Sequence, residues 1–295
     1  MEVKNPFSLY DFLGYLFPGS LALFIIYTIC KVSMEMGMIL PFDYVEQFFR
    51  FLSDDSINVD LTKVLIPFVI VAYVLGHLFS YLSSITIEYF TNRVYYYPSK
   101  YLLEDTTGDK IWKRYWKSDS EHKSFKFILL LVIFVILLPI DIFIFSSDLI
   151  RDFVTRKLDD YLASNIKDKI KYLSEELKFE GKQTDRYDAH RVVMHYVYLN
   201  LPNSNRKADN YVALYGFLRS TTLILTLFTD WLIIHGAVSV IRNFNCEINR
   251  PSVVLIISLW LLSFISYMGF VKFYRRFTLE NFMSLLTGKW HTLSN

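Results

Sequence analysis

Apolar residues along the chain gather into five long blocks separated by charged stretches: Phe12 to Cys30, Leu61 to Ile87, Phe125 to Phe145, Phe217 to Ile241 and Val253 to Phe273. A membrane-spanning helix needs about 20 mostly apolar residues, because the hydrocarbon core is about 30 Å thick. Blocks one, two, four and five meet that length and predict four transmembrane helices. The first block can extend as far as Leu40, and no small-residue cleavage site follows it, so it reads as a retained anchor.

Block three is the most apolar run of all, and it allows two courses. It either crosses the bilayer or enters and returns. Phe127 to Leu138 reaches about 18 Å as a helix, after which Pro139 and Asp141 can turn the chain back. Lys and Arg positions favour the second course. From Lys31 through the start of block two stand three basic residues, Lys31, Arg50 and Lys63, against six acids, whereas Arg93 to Lys123 holds seven basic residues and Arg151 to Lys207 holds twelve. With block three not crossing, both termini and the strongly basic segments face the cytoplasm, as the positive-inside rule requires.

The connecting region reads as helical. Leu149, Phe153, Leu158, Leu162, Ile166, Ile170, Leu173 and Leu177 recur mostly at steps of three and four, which predicts one long amphipathic helix from Ser146 to Lys182. Asp148 or Ser147 caps its start and Gly181 marks its stop. A second helix is predicted over Tyr187 to Leu199, before Pro202. A third begins near Ala208 and feeds into block four. After block five, Leu279, Phe282, Met283, Leu286 and Trp290 fall on one side of a segment preceded by Lys272, Arg275 and Arg276. This pattern predicts an interfacial helix anchored on the inner leaflet by those three cations and Trp290.

The fold class is therefore all-α: a polytopic membrane protein with a small helical cytoplasmic part. Its divisions are an N-terminal membrane pair (1–87, helices 12–30 and 61–87), a cytoplasmic helical region (88–216) containing the hydrophobic segment 125–147, a C-terminal membrane pair (217–273) and an amphipathic inner-leaflet tail (274–295). Composition agrees. The 295 residues are 53% hydrophobic and 20% charged, below the charge of an average soluble domain, and the formal net charge of +2 gives no reason to expect a nucleic-acid binder.

Candidate chemistry lies inside the membrane blocks. Asp230 sits at the centre of block four beside Thr226 and Thr229. An intramembrane carboxyl costs roughly 3 kcal/mol on insertion scales, so it should meet water or a partner. Tyr73, His77, Ser80 and Ser84 share a face of block two. His77 and Asp230 fall within about 6 Å in depth, a gap that side chains can bridge. Asp230, His77, Ser80, Thr226 and Thr229 are thus pore or gating candidates, although an interhelical hydrogen bond that only fixes packing accounts for the same pattern. Phosphate loops, dinucleotide fingerprints, zinc-protease and serine-hydrolase motifs are absent. Asp185, Asp188 and His190 read as helix-surface groups, and His190 and His195 do not share a helix face. The chain therefore reads as non-enzymatic, with no cofactor or metal. The two cysteines, Cys30 and Cys246, both fall on the predicted outer side, a placement that permits a disulfide without requiring one.

Leu9-Tyr-Asp-Phe-Leu-Gly-Tyr-Leu-Phe-Pro-Gly-Ser, with Gly76-His-Leu-Phe-Ser-Tyr-Leu-Ser-Ser, resembles the opening of bacterial multi-pass membrane proteins of the anti-phage defence type, the Hailong-like channel effectors. Asn210-Tyr-Val-Ala-Leu-Tyr-Gly-Phe-Leu-Arg is similar to the lead-in to their later membrane pair. The resemblance spans about 40 residues. It implies a homo-oligomeric channel or membrane-disrupting effector in the bacterial inner membrane, answering a nucleotide or oligonucleotide signal or a cytoplasmic partner protein. The alternative is a non-conducting scaffold or sensor that recruits a partner.

Overall fold

The computed structural model describes residues 11–35, 61–103, 115–116, 123–146, 154–177, 189–200, 205–243 and 250–288. Among these the fold is all-α. A π-helical turn, Phe12–Leu16, leads into α1, Phe17–Glu35. Helix α2, Leu61–Ser83, continues through a second π-helical turn, Ser84–Glu88, into α3, Tyr89–Tyr95. Then come α4 (Pro98–Leu102), α5 (Lys123–Ile136), α6 (Leu138–Ser146), α7 (Asp160–Glu176), α8 (Ala189–Asn200), α9 (Asn205–Asn243) and α10 (Arg250–Thr287).

Four helical stretches are long and apolar enough to cross a membrane: Phe12–Cys30, Leu65–Leu102, Lys207–Val238 and Val253–Thr287. Helices α5 and α6 form a bent apolar pair, with 94° between Phe127–Ile136 and Leu138–Phe145. The chain is a multi-pass membrane protein, and the break in block three falls beside the expected Pro139. It comes at Leu137, where the Ile140 amide donates to the Leu137 carbonyl at 2.8 Å.

The described residues belong to two compact units. The first draws on Met1–Glu88, Val135–Ile140 and Gly216–Tyr267. Its outer faces carry exposed Phe24, Ile70, Val74, Ile234, Val254 and Ile265, an arrangement suited to lipid and costly in water. Lipid supplies no hydrophobic drive for helices to associate, so close packing must supply it. Small residues provide the contact. A methyl group added at Gly19 would overlap the Ala72 carbonyl, and one added at Gly76 would overlap the Tyr15 carbonyl. The crossing of α1 and α2 thus exists only because both positions lack a Cβ. Around it Ala22, Ile25 and Ile224 form a buried cluster with Leu21, Ile29, Phe79 and Phe228. The Trp260 indole N–H, on α10, donates to the Pro139 carbonyl at the bend.

The second unit draws on Tyr89–Phe134, Asp141–Tyr215 and Met268–Asn295. Its core joins Tyr101, Leu102 and Leu103 to Ala163, Ile166 and Leu173 of α7, Val193 and Val197 of α8, and Phe282 and Leu285 of α10. Two expectations are corrected here. The helix expected as one piece from Ser146 to Lys182 is interrupted: Val154 is helical, 156–159 are not, and α7 starts at Asp160, where the Asp159 side chain accepts from the Leu162 amide at 2.9 Å as its cap and the Leu158 amide donates to the Leu102 carbonyl at 3.3 Å in the stretch before it. Ser147, Asp148 and Gly181, the expected start and stop signals, lie outside the described residues. The expected inner-leaflet helix is instead the unbroken continuation of α10. Its apolar side is covered by protein, with Phe282 and Leu285 buried among α7 and α8 and Leu279 and Leu286 packed against the same cluster. At 1.5 Å per residue α10 is about 57 Å long, nearly twice the hydrocarbon thickness. The expected helix over 187–199 is α8, described over Ala189–Asn200. The one described non-glycine residue with positive φ is Tyr96, at 67°, in the link between α3 and α4.

Gly76→Ala should cost about 1–3 kcal/mol, because the neighbouring backbone must move to admit the methyl group. Gly236, with nothing within 4 Å of an added Cβ, serves as control, and Gly236→Ala should be neutral or slightly stabilising. Thermal unfolding in detergent, followed by circular dichroism, checks both.

Candidate functional site

A densely bonded polar group of the first unit is Arg219, in the apolar part of α9 and 9% exposed. Its Nε donates to the Ser83 hydroxyl at 3.1 Å, and its Nη2 donates to the Ser80 carbonyl at 3.2 Å. Its Nη1 forms an ion pair with the Glu88 carboxylate. The Ser83 hydroxyl itself donates to the Ser80 carbonyl at 2.9 Å and lies 3.4 Å from the Ser220 hydroxyl. Ser83 stands just before the π-helical turn and Glu88 closes it. Such turns insert a residue into the helical ladder and often mark functional positions. Burying an ion pair is tolerable only when hydrogen bonds or water satisfy what remains of both charges: Ser83 and Ser80 serve Arg219, and the Glu88 side chain keeps 23% exposure.

Further along α9 the expected residues separate into two groups. Thr226 and Thr229 are fully buried. The Thr226 hydroxyl lies 2.9 Å from that of Ser263 on α10, and the Thr229 hydroxyl donates to the Leu225 carbonyl at 2.8 Å. Both are satisfied inside the helix packing. Asp230, by contrast, is half-buried and makes no hydrogen bond or ion pair among the described residues. His77 is exposed. Its ring stacks on Tyr15 with centroids 3.7 Å apart and meets Tyr73 edge-on at 4.6 Å. The expected bridge between His77 and Asp230 does not form among the described residues. Ser80 takes part through its backbone carbonyl.

Of the expected anchoring residues, Lys272 and Arg276 are exposed, Arg276 lying over the Phe273 ring at 5.9 Å. Arg275 donates to the Arg156 carbonyl at 2.7 Å. Trp290 and Cys246 lie outside the described residues, and Cys30 is a buried free thiol. The sequence reading missed Arg219 and Glu88. Their signal was a charge inside each apolar stretch, on the same side as Ser83 and Ser220, but 131 residues separate the pair and no spacing rule joins them.

Removing one partner alone should be worse than removing both. Arg219→Met or Glu88→Gln singly should destabilise toward the lower end of about 3–5 kcal/mol, since Glu88 retains some solvent access, and the double variant should recover part of that loss. A double-mutant cycle on unfolding in detergent measures the difference.

Comparison of the chain with protein-family models, curated proteins and solved structures finds no match.

Proposed function

We propose that the chain is the subunit of a homo-oligomeric membrane channel or membrane-disrupting effector, with a water-filled path on the side of the first unit that carries Asp230. The observation that carries this reading is Asp230 itself. It is a carboxyl midway along an apolar helix, half-exposed, with no partner among the described residues. A carboxylate facing lipid is costly, whereas one facing water or a second copy is not. The exposed imidazole of His77 is a second polar group on the outside of the same unit. The resemblance of residues 9–20 and 76–84 to Hailong-like effectors points in the same direction. It suggests a bacterial inner membrane, an anti-phage role and gating by a nucleotide-type signal or a partner protein.

A second reading, a non-conducting scaffold or sensor, is favoured by Thr226 and Thr229. Their hydroxyls are spent on Ser263 and on the backbone and add nothing to a lumen. Flux separates the two readings. Reconstituted protein should release entrapped ions with a steeper than linear dependence on protein density, and Asp230→Leu should abolish release while leaving the helical content unchanged. Single copies in nanodiscs, together with no release from either protein, would sink the channel.

The proposed orientation places both termini and residues 88–216 in the cytoplasm. Ser164 is exposed on α7 and suits a topological probe. In a Cys30→Ser, Cys246→Ser background, Ser164→Cys should react with a membrane-impermeant maleimide only after the cells are opened.

A further inference from the structure

Asp141, on α6 just past the bend, is 2% exposed. Both of its carboxyl oxygens are buried without a hydrogen-bond partner among the described residues. Its surroundings are aromatic. Tyr115 packs against Phe90 with ring centroids 5.5 Å apart, against Trp116 at 5.0 Å, against Phe134 at 6.3 Å and against Phe145 at 6.2 Å. The Tyr115 hydroxyl is committed elsewhere, donating to the Leu130 carbonyl at 2.7 Å. Burial holds that hydroxyl above its ordinary range; Asp141 and Tyr89 raise it further and Arg93 lowers it, which places all three groups around this ring. Arg93 lies over the Tyr89 ring at 5.8 Å and forms no ion pair with Asp141. The titratable group that interacts with Asp141 is therefore Tyr115 of the 115–116 segment, and Tyr89 and Arg93 of α3 flank the same Tyr115 ring.

We propose that Asp141 is a proton-binding site built into the bent apolar pair, carrying its carboxyl in the neutral form at physiological pH. A buried carboxylate without a paired cation or hydrogen bonds costs several kcal/mol, whereas the protonated acid incurs only the much smaller penalty of a neutral polar group. Space selects the ligand. The rings are in contact with one another, and no three His, Cys, Asp or Glu side chains converge for a metal among the described residues. A proton needs no coordination shell. This inference is independent of the channel reading and of Asp230.

The test is infrared spectroscopy of the full chain in phosphatidylcholine nanodiscs at pH 7. The difference spectrum between wild type and Asp141→Asn should show loss of a protonated carboxylic acid C=O band. Loss of carboxylate stretches alone overturns the proposal. Should Asp141→Asn fail to fold, Asp230→Asn supplies the second measurement, because Glu88 is ion-paired with Arg219 and Asp141 then stands as the unpaired, fully buried acid among the described residues of the apolar segments. A neutral-acid band persisting at pH 7 supports the site, and its absence overturns it. Linkage gives a further readout. The folded chain keeps a proton that the unfolded chain releases above about pH 4, so stability falls as pH rises. The melting temperature of wild type should drop relative to Asp141→Asn between about pH 5 and 8, and parallel curves overturn the proposal.

Discussion

The close passage of Gly19 against Ala72 and of Gly76 against Tyr15 is the constraint on which the first unit depends. Helices surrounded by lipid gain little by hiding apolar surface from one another, so their association rests on contact area and on polar groups that find partners. Backbone touching backbone gives the largest contact area per residue. It also fixes the axial register of α1 against α2, since neither helix can slide without driving a side chain into a carbonyl. The π-helical turn at Phe12–Leu16 lies at this crossing, and Tyr15 extends from it to cover the His77 ring. What remains of the packing, Ile224 on Ala22 and Ile25 and Phe217 on Phe17, builds on that register.

Polar groups in this unit fall along a gradient of satisfaction. Arg219 and Glu88 answer each other and enlist Ser83 and Ser80. Thr226 and Ser263 pair across α9 and α10. Asp230 stands apart, half-exposed and unanswered among the described residues. In a bilayer an unanswered charge is the group most able to respond to a second copy, to water or to a proton. Fully satisfied groups fix geometry and cannot respond without breaking bonds.

Much of this was legible in the amino-acid order. The four long helices and the broken fifth segment follow from block length and from Pro139, since a hydrocarbon slab imposes a minimum apolar run that few other environments require. The position of Asp230 was equally plain, but its lack of a partner was not, because that depends on which residues Thr226 and His77 choose instead. Two helical readings failed for a common reason. Spacing of apolar residues reports that one side is dry without saying what covers it. Leu279, Phe282 and Leu286 therefore read as lipid-facing, although α7 and α8 cover them. Likewise Leu149 to Leu158 keeps helical spacing up to the point where Leu158 bonds the Leu102 carbonyl and Asp159 starts the helix afresh.

The run of α9 from Arg219 to Thr226 ties together positions that serve different neighbours. Arg219 must point at Ser83 and Glu88, while Thr226 must point at Ser263. Each helical residue advances the azimuth by about 100°. One codon inserted between Arg219 and Thr226 would therefore swing one of them away from its neighbours while leaving the other in place. Over this stretch, side chains can be exchanged more readily than their number can change.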